Sequence, residues 1–506
     1  MTSDPPAAAG LSDPGVVQNT LLQLASQVAG LVFTGGLTLY LVRTLGPSRY
    51  GVYALAVSIG AIALYPAGLG LPWSVGRFLA DHREDLAQLR AILLLGVKLQ
   101  IGAAAVACAA LFALAGPIAR VVGNGHLVWP LRWMALSILG QAMFGFLVSA
   151  VTSVRRVSLA LWMAIAESAI EAAASVALVL AGAGASGATA GRFLGYGAGA
   201  VLGLVMVNRL LTGLRGAGTV RVFAGVRSLM RYAGAMLIVD VTWSAIAQID
   251  VVLVGALLGV AAAGSLGAVL RILMVLGYLG LAVSSGIAPR LSVAAGAPDV
   301  RAFEQGIRYL TIVQGLVIAP MLVWAAPITG LLLGGGYASA PALLRVLTVQ
   351  AFVSAPAALV SVAVTYLGEA RRRVPIVTGT LLVGLLLTYG LIQAVGVLGA
   401  AIGDDVVQVV YLTGHVWICT RLLPLNLQLL AVTCARTLAA AAVMAGVLDL
   451  IGSGRLAAWQ WIAGLGLGGA AYVGVLLATR EVTRAELRGA SVWVRGRIRR
   501  TVAASF

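Results

Sequence analysis

Apolar stretches of about twenty residues, the length that crosses the hydrocarbon of a bilayer at about 1.5 Å per helical residue, follow one another from residue 19 to residue 479 with only short connections between them. The pattern predicts fourteen membrane-spanning helices, at 19–42, 51–73, 91–115, 131–153, 157–182, 191–211, 232–257, 261–287, 309–333, 343–367, 374–396, 398–420, 427–450 and 459–479. No connection is long or polar enough to hold a soluble domain. Residues 1–18 begin MTSDPPAAAGLSDPG, with neither a positive region nor a cleavage pattern, and are expected to form a disordered cytoplasmic lead rather than a signal peptide.

One hairpin occurs twice. Residues 41–77 read LVRTLGPSRYGVYALAVSIGAIALYPAGLGLPWSVGR, and residues 254–290 read VGALLGVAAAGSLGAVLRILMVLGYLGLAVSSGIAPR. Leu45, Gly46, Gly51, Ile59 and Arg77 recur as Leu258, Gly259, Gly264, Ile272 and Arg290, every pair 213 residues apart. A single ungapped offset points to duplication. Six predicted helices separate the copies, so both enter the membrane in the same direction and the repeat is parallel. The expected organisation is a six-helix lobe at 19–211, a basic cytoplasmic linker at 212–231, a second six-helix lobe at 232–420, an appended helix pair at 427–479 and a basic cytoplasmic tail at 480–506. The tail interleaves arginines with Val482, Leu487, Trp493 and Ile498, which suits either an interfacial helix on anionic inner-leaflet lipids or a solvated segment.

Composition agrees with this pattern. The chain is 60% hydrophobic and 10% charged, with a mean hydropathy of +1.01, where a soluble globule is usually about 25% charged. The formal net charge of +17 raises the question of nucleic acid, but most of the 34 basic residues lie in connections after even-numbered helices or in the tail. Arg43, Arg49, Arg120 and Arg455 lie on the other side. That asymmetry places the even connections and both termini in the cytoplasm, as expected of a multi-pass protein of the cytoplasmic membrane, and argues against a nucleic-acid patch. Cys108, Cys419 and Cys434 lie in apolar runs without metal-ligand spacing and read as small core residues. Gly187, Gly191, Gly195, Gly199 and Gly203 fall four apart, one stripe suited to close helix approach. Pro66, Pro72, Pro320 and Pro356 are positioned to kink or end helices. Trp129, Trp133, Trp459 and Trp461 sit at predicted outer boundaries as interfacial anchors.

Ionisable groups inside spans are costly and mark pathways or partners. Lys98, Glu167, Glu171, Asp240, Asp250 and Arg271 are the candidates. Glu167 and Glu171 share one helix face, and Lys98 and Glu167 lie at comparable depth. Asp250 lies seven residues from the outer end of its helix and Arg271 ten from the end of the next, a mismatch of about 5 Å that permits a pair. Arg132, Arg192 and Arg345 open their predicted spans and are expected to snorkel to the interface. Asp404 and Asp405 are adjacent and so diverge on a helix. With no Cys/His cluster, phosphate-binding glycine loop or nucleophile motif beside them, catalysis and a metal site are not expected. His415 reads as a packed core histidine.

RTLGPSRYGVYALAVSI followed by GLGLPWSVGRFLA resembles the opening hairpin of the polysaccharide (Wzx-type) flippases of the multidrug/oligosaccharidyl-lipid/polysaccharide exporter superfamily. QIDVVLVGALLGVAAAGSLGAVLRI with PRLS, LLLGGGYASAPALLRVLTVQ and GVLGAAIGDDVVQVV are similar to its later segments, so the resemblance runs from about Leu21 to Leu422. It implies an all-α membrane fold of two six-helix lobes forming a V-shaped cavity, with two extra helices. It also implies flipping of an undecaprenyl-diphosphate-linked oligosaccharide by alternating access, without enzymatic chemistry. No cofactor is implied beyond coupling to a proton or sodium gradient. The partners implied are the lipid-linked oligosaccharide and proteins of polysaccharide polymerisation and export.

The resemblance gives Arg271 a substrate-binding role, with Arg43 and Arg77 flanking the first hairpin as headgroup contacts and Lys98 as a further basic candidate. Relatives that flip lipid II carry arginines inside the first helix; this chain has Gln23, Gln27 and Thr34 there, with Gln23 and Gln27 as substrate-binding candidates, and a lipid II flippase stays an alternative. Asp250, Asp240, Glu167 and Glu171 are the ion-coupling candidates, and carboxylates of this kind would equally serve a multidrug exporter. A membrane glycosyltransferase or polymerase would need a substantial or acidic outer loop, whereas AGAGASGATA, LGGGYASAP and VGVLG are short and nearly uncharged. A non-transporting scaffold is the remaining alternative.

Overall fold

The computed structural model describes residues 16–81, 85–154, 156–212, 225–287, 291 and 298–486. Among these the chain is helical throughout, without strands. The helices are α1 (Val16–Gly68), α2 (Leu71–Asp81), α3 (Leu86–Val121), α4 (Val128–Ser153), α5 (Val157–Leu178), α6 (Gly184–Thr212), α7 (Val226–Leu258), α8 (Val260–Ile287), α9 (Val300–Val323), α10 (Ala325–Leu333), α11 (Ala340–Val346), α12 (Thr348–Tyr366), α13 (Ala370–Val395), α14 (Val397–Leu422), α15 (Leu427–Ile451) and α16 (Ala458–Ala478). Among the described residues eleven segments are long and apolar enough to cross a membrane. Two of these are broken inside: α1 at Gly46, and the 157–209 segment at Gly182 and Gly184. Dividing both and counting α8, whose apolar stretch is the shorter Val260–Met274, gives fourteen apolar segments in the order predicted. The lead and most of the basic linker and tail lie outside the described residues.

The chain divides into two compact units, residues 1–271 with 377–400, and residues 272–376 with 401–506. Within the first unit, the two copies of the repeated hairpin meet. Gly46 and Gly259 adopt the same non-helical conformation, φ 67 and ψ 175 against φ 89 and ψ 172, just before Pro47 and Val260. Proline suits a first helical position, because its missing N–H has no partner there in any case. Five residues after each turn, Gly51 and Gly264 face one another. A Cβ on Gly51 would stand 1.7 Å from the Val260 carbonyl oxygen, and one on Gly264 would stand 2.1 Å from the Pro47 carbonyl oxygen. The two clashes are the same one seen from either repeat.

The glycine stripe also has a tertiary role. On α6, Gly191 lies against Ser175, Gly195 against Glu171, Gly199 against Glu167 and Gly203 against Met163, all on α5. Each of these glycines would place a Cβ within 3 Å of its neighbour, so α5 and α6 pack backbone to side chain over three turns.

The second span breaks at Leu69 (φ 48) and Gly70 (φ 63), between Pro66 and Pro72. A break at membrane depth frees carbonyls that lipid cannot satisfy. The buried Gln100 donates to the Ala67 carbonyl at 2.8 Å, and Ser149 donates to the Pro72 carbonyl at 2.5 Å.

In the second unit, α15 and α16 pack on α9 around Trp324, Met444, Leu448 and Tyr472. Trp324 donates its indole N–H to the Gly452 carbonyl, and Tyr472 donates its hydroxyl to the Ile312 carbonyl. Cys108 and Cys419 are buried and Cys434 is half-buried, all three unbridged. Of the four tryptophans expected as anchors, Trp129 and Trp459 are exposed, whereas Trp461 packs against Trp324 with ring centroids 5.1 Å apart and Trp133 against Phe193 at 5.8 Å. The last two are half-buried against those aromatic neighbours.

The segment after α16 is anchored by charge. The buried Glu481 accepts from Arg308 (2.9 Å), Arg436 (3.0 Å) and Thr433 (2.8 Å), and Arg308 also donates to the Glu481 carbonyl and to Glu486. Burial alone would push the Glu481 carboxyl up, but its hydrogen bonds from Arg308, Thr433 and Arg436 hold it below its ordinary value. At Glu486 burial also acts upward, and the Thr483 backbone N–H and Arg308 hold it down at about 2. Both carboxyls are depressed in the folded state, so their contribution is complete above the ordinary carboxylate range of about 4.3 and is lost as pH falls toward the folded value. Amide-exchange protection of residues 479–486 is expected to hold between about pH 7 and about pH 5 and to weaken below about pH 4. Equal protection factors at about pH 7 and well below about pH 4 would contradict this anchoring.

Candidate functional site

The glycine stripe sets the position of two acidic residues. Because Gly195 and Gly199 bring the α6 backbone against the Cβ atoms of Glu171 and Glu167, both carboxylates are buried in the helix bundle of the first unit. Arg192, one turn before Gly195 on α6, donates to Glu171 at 2.9 Å and to the Gln141 side chain of α4 at 3.4 Å. Its guanidinium stands 5.0 Å from the Tyr196 ring and is near enough to Tyr53 of α1 to interact with it electrostatically. Glu167 accepts from Ser168 at 2.9 Å through one oxygen, and its other oxygen is buried without a partner.

Two buried carboxylates thus stand beside one guanidinium, which is bonded to Glu171 alone. An unbalanced buried charge costs several kcal/mol or more, so the cluster is neutral only when a proton or a small cation joins it. The unpartnered oxygen of Glu167 is where that charge would be received.

Arg192 corrects the sequence expectation that it snorkels from the first turn of its span. The helix begins at Gly184 rather than near residue 191, which places Arg192 two turns inside. The expected relation between Lys98 and Glu167 is absent as an ion pair: Lys98 is exposed on α3, and Glu167 lies with Ser168, Glu171 and Arg192.

Arg271, half-buried on α8, is near enough to Tyr50 to interact with it electrostatically. Tyr50 packs on Tyr53 with ring centroids 5.7 Å apart. Neighbouring side chains therefore lead from Arg271 to Glu171 by way of two tyrosines of the repeated hairpin, the tyrosine pair and the Arg192–Glu171 ion pair in contact and the arginines within electrostatic reach of the tyrosines. Sequence reasoning missed Tyr50 and Tyr53; their only signal is a spacing of three on one helix face in SRYGVYAL.

The other candidates are dispersed. Arg43 is exposed on α1 three residues before the Gly46 turn, and Arg77 is exposed on α2 with its guanidinium 5.0 Å from the Tyr232 ring. Asp240 accepts the Trp73 indole N–H at 3.0 Å, and Asp250 is buried on α7. The side chains of Gln23 and Gln27 lie outside the described ones.

In the second unit, Asp405 accepts the Gln350 backbone N–H at 2.8 Å, capping the N-terminus of α12 from α14. Among the described residues no group of three metal-ligating side chains is present. His415 is fully buried; Nδ1 lies 2.8 Å from the Tyr411 carbonyl and Arg373 donates to Nε2 at 3.4 Å, so the proton of the neutral ring sits on Nδ1.

Residues 15–294 match the profile of a family described as polysaccharide biosynthesis protein. No curated protein matches the sequence. Among solved structures, the lipid II flippase MurJ in its inward closed conformation is similar over 91% of this chain and 99% of its own, at 12% identity and a TM-score of 0.68. An inward-facing multidrug resistance MATE family transporter is similar over 80% of this chain and 98% of its own, at 15% identity and a TM-score of 0.62. A transporter of the same superfamily from Pyrococcus furiosus is similar over 80% and 95%, at 16% identity and a TM-score of 0.54. These likenesses establish the fold as that shared by MurJ and the MATE transporters.

Proposed function

The chain belongs to the polysaccharide biosynthesis protein family, and on that premise we propose that it flips an undecaprenyl-diphosphate-linked oligosaccharide across the cytoplasmic membrane by alternating access. The observation that carries this reading is the run Arg271–Tyr50–Tyr53–Arg192–Glu171. It joins an arginine suited to a diphosphate to an acidic pair that needs a proton or sodium ion. Loading that pair changes the charge facing Arg192, and Arg192 bears on the tyrosines beside Arg271. Substrate binding and a cation gradient are coupled through one row of neighbouring side chains in this reading. Arg43 and Arg77 serve the headgroup, and Asp240 and Asp250 are second-line coupling carboxylates. Anionic inner-leaflet lipids are a further partner, and polysaccharide polymerase and export proteins receive the product.

The test is movement of a fluorescent undecaprenyl-diphosphate oligosaccharide between leaflets of liposomes containing the purified protein. Wild type is expected to move it, and Arg271→Ala to slow it about tenfold, the loss that follows removal of a charge-assisted hydrogen bond worth about 1.5–3 kcal/mol. Glu167→Gln is expected to move it without responding to an imposed proton or sodium gradient. No movement by wild type under either gradient would sink the flippase reading and favour multidrug export or a scaffold.

A further inference from the structure

The chain leaves α16 through a turn that carries an arginine where glycine is usual. The Arg480 N–H donates to the Leu477 carbonyl at 3.1 Å and the Glu481 N–H to the Leu476 carbonyl at 2.8 Å, with Arg480 at φ 56. This pair of bonds commonly ends a helix on glycine, because a side chain in that left-handed conformation is strained. Beyond the turn, the acidic residues are already engaged. Glu481 accepts from Arg308, Arg436 and Thr433, and Glu486 from Arg308, Tyr309 and Thr483. Arg480 and Arg484 are exposed, and among the described residues neither forms an ion pair with a carboxylate. Residues 487–506 contain no aspartate or glutamate that would neutralise them.

The two arginines line an open cavity of about 560 Å³. The rest of its lining is mostly apolar and includes Gly474, Leu477 and Ala478 from the last turns of α16. Gly474 lies about 6 Å before the end of the span at about 1.5 Å per residue, and a Cβ there would meet nothing within 4 Å. The cavity thus straddles the level where hydrocarbon gives way to headgroups, with its arginines just beyond the last apolar residue. We propose that it holds an anionic glycerophospholipid of the leaflet at this end of α16. Its phosphate is taken by Arg480 and Arg484, and its glycerol and first acyl carbons lie against Gly474, Leu477 and Ala478. Paired guanidinium N–H donors suit a phosphate, and basic residues immediately beyond a span attract anionic lipid. A zwitterionic lipid brings an ammonium group that the second arginine repels, and free phosphate leaves the apolar lining uncovered. Glycine at position 480 would relieve the turn but remove one of the two charges. The site gives the anionic-lipid partner of the preceding reading, on which it rests for that partner's presence, a place on the chain; its geometry is independent of what is transported.

The test is melting of the full chain in an uncharged detergent while phosphatidylglycerol, phosphatidylcholine or inorganic phosphate is added, since a ligand that binds only the folded chain raises the melting temperature according to its affinity. Phosphatidylglycerol is expected to stabilise wild type more than phosphatidylcholine, and inorganic phosphate not at all. Arg480→Gly and Arg484→Gln should each weaken phosphatidylglycerol about fivefold, the share of one basic residue at a membrane surface. Arg371→Gln, which removes an equally exposed charge elsewhere, should leave it unchanged. Without lipid, Arg480→Gly is expected to melt no lower than wild type, because glycine suits the turn. A lower value would make Arg480 structural, and Arg484→Gln then decides the site. An equal loss in Arg371→Gln overturns the proposal in favour of diffuse charge attraction, and stabilisation by inorganic phosphate overturns it in favour of a bare anion site. Phosphatidylglycerol acting alike on wild type, Arg480→Gly and Arg484→Gln overturns this site while keeping the lipid as a partner. No response of wild type to phosphatidylglycerol overturns both, without bearing on flipping.

Discussion

Replacing Gly51 with alanine is expected to leave little or no folded protein. The added methyl would lie 1.7 Å from the Val260 carbonyl oxygen, and its obstacle is backbone at the start of α8 rather than the end of a flexible side chain. Relief requires α1 and α8 to separate, which also breaks the Gly264 contact to Pro47. Overpacking usually costs about 1–3 kcal/mol, and a backbone obstacle at a helix crossing places this one at or beyond the upper end. Gly264→Ala should fail in the same way, because it makes the equivalent contact from the other repeat. Gly36→Ala on the same helix, with nothing within 4 Å, is expected to be neutral or stabilising by up to about 1 kcal/mol. The monodisperse fraction surviving a heat step in detergent measures all three, and a Gly51→Ala protein as robust as Gly36→Ala would contradict the crossing.

Glu171→Gln should destabilise by about 3–5 kcal/mol, the range for removing one partner of a buried pair. The substitution strands the Arg192 guanidinium, whose side chain is 18% exposed, against a neutral amide. The loss should be shared with Arg192→Gln: once the pair is broken, the second substitution should add little, giving a coupling energy of about 1–3 kcal/mol in a double-mutant cycle. Additive losses would mean that Glu171 and Arg192 act separately, and would remove the middle of the run from Arg271. Glu167→Gln is expected to cost far less, because that carboxyl already has one buried oxygen without a partner.

The two predictions differ in how much of their basis the sequence shows. Gly46, Gly51, Gly259 and Gly264 stand out through the 213-residue repeat, and the structure gives each pair one conformation or one contact. The four-residue glycine stripe likewise announces a close helix pair, although not that Glu167 and Glu171 lie on the other side of it. Glu171 stands out as an intramembrane carboxylate, but its partner does not. Arg192 looks like an interfacial residue because hydropathy alone places the start of its helix seven residues late, and Lys98 looks like the better partner only by depth. Glu481 gives no signal at all: an acidic residue in an arginine-rich tail reads as solvated, yet it is buried among Arg308, Arg436 and Thr433.

The sequence by itself determined the membrane class, the all-helical fold and the repeat, because hydrocarbon thickness sets the length of each apolar run and duplication preserves spacing. Only the tertiary structure decided which charged and aromatic side chains meet. Hydropathy reports position along the membrane normal, whereas contact depends on each helix's rotation about its own axis, and a shift of one residue turns a side chain by about 100°. Arg192 reaches Glu171, and Tyr50 comes near Arg271, through such rotations, set by where glycines let two backbones approach.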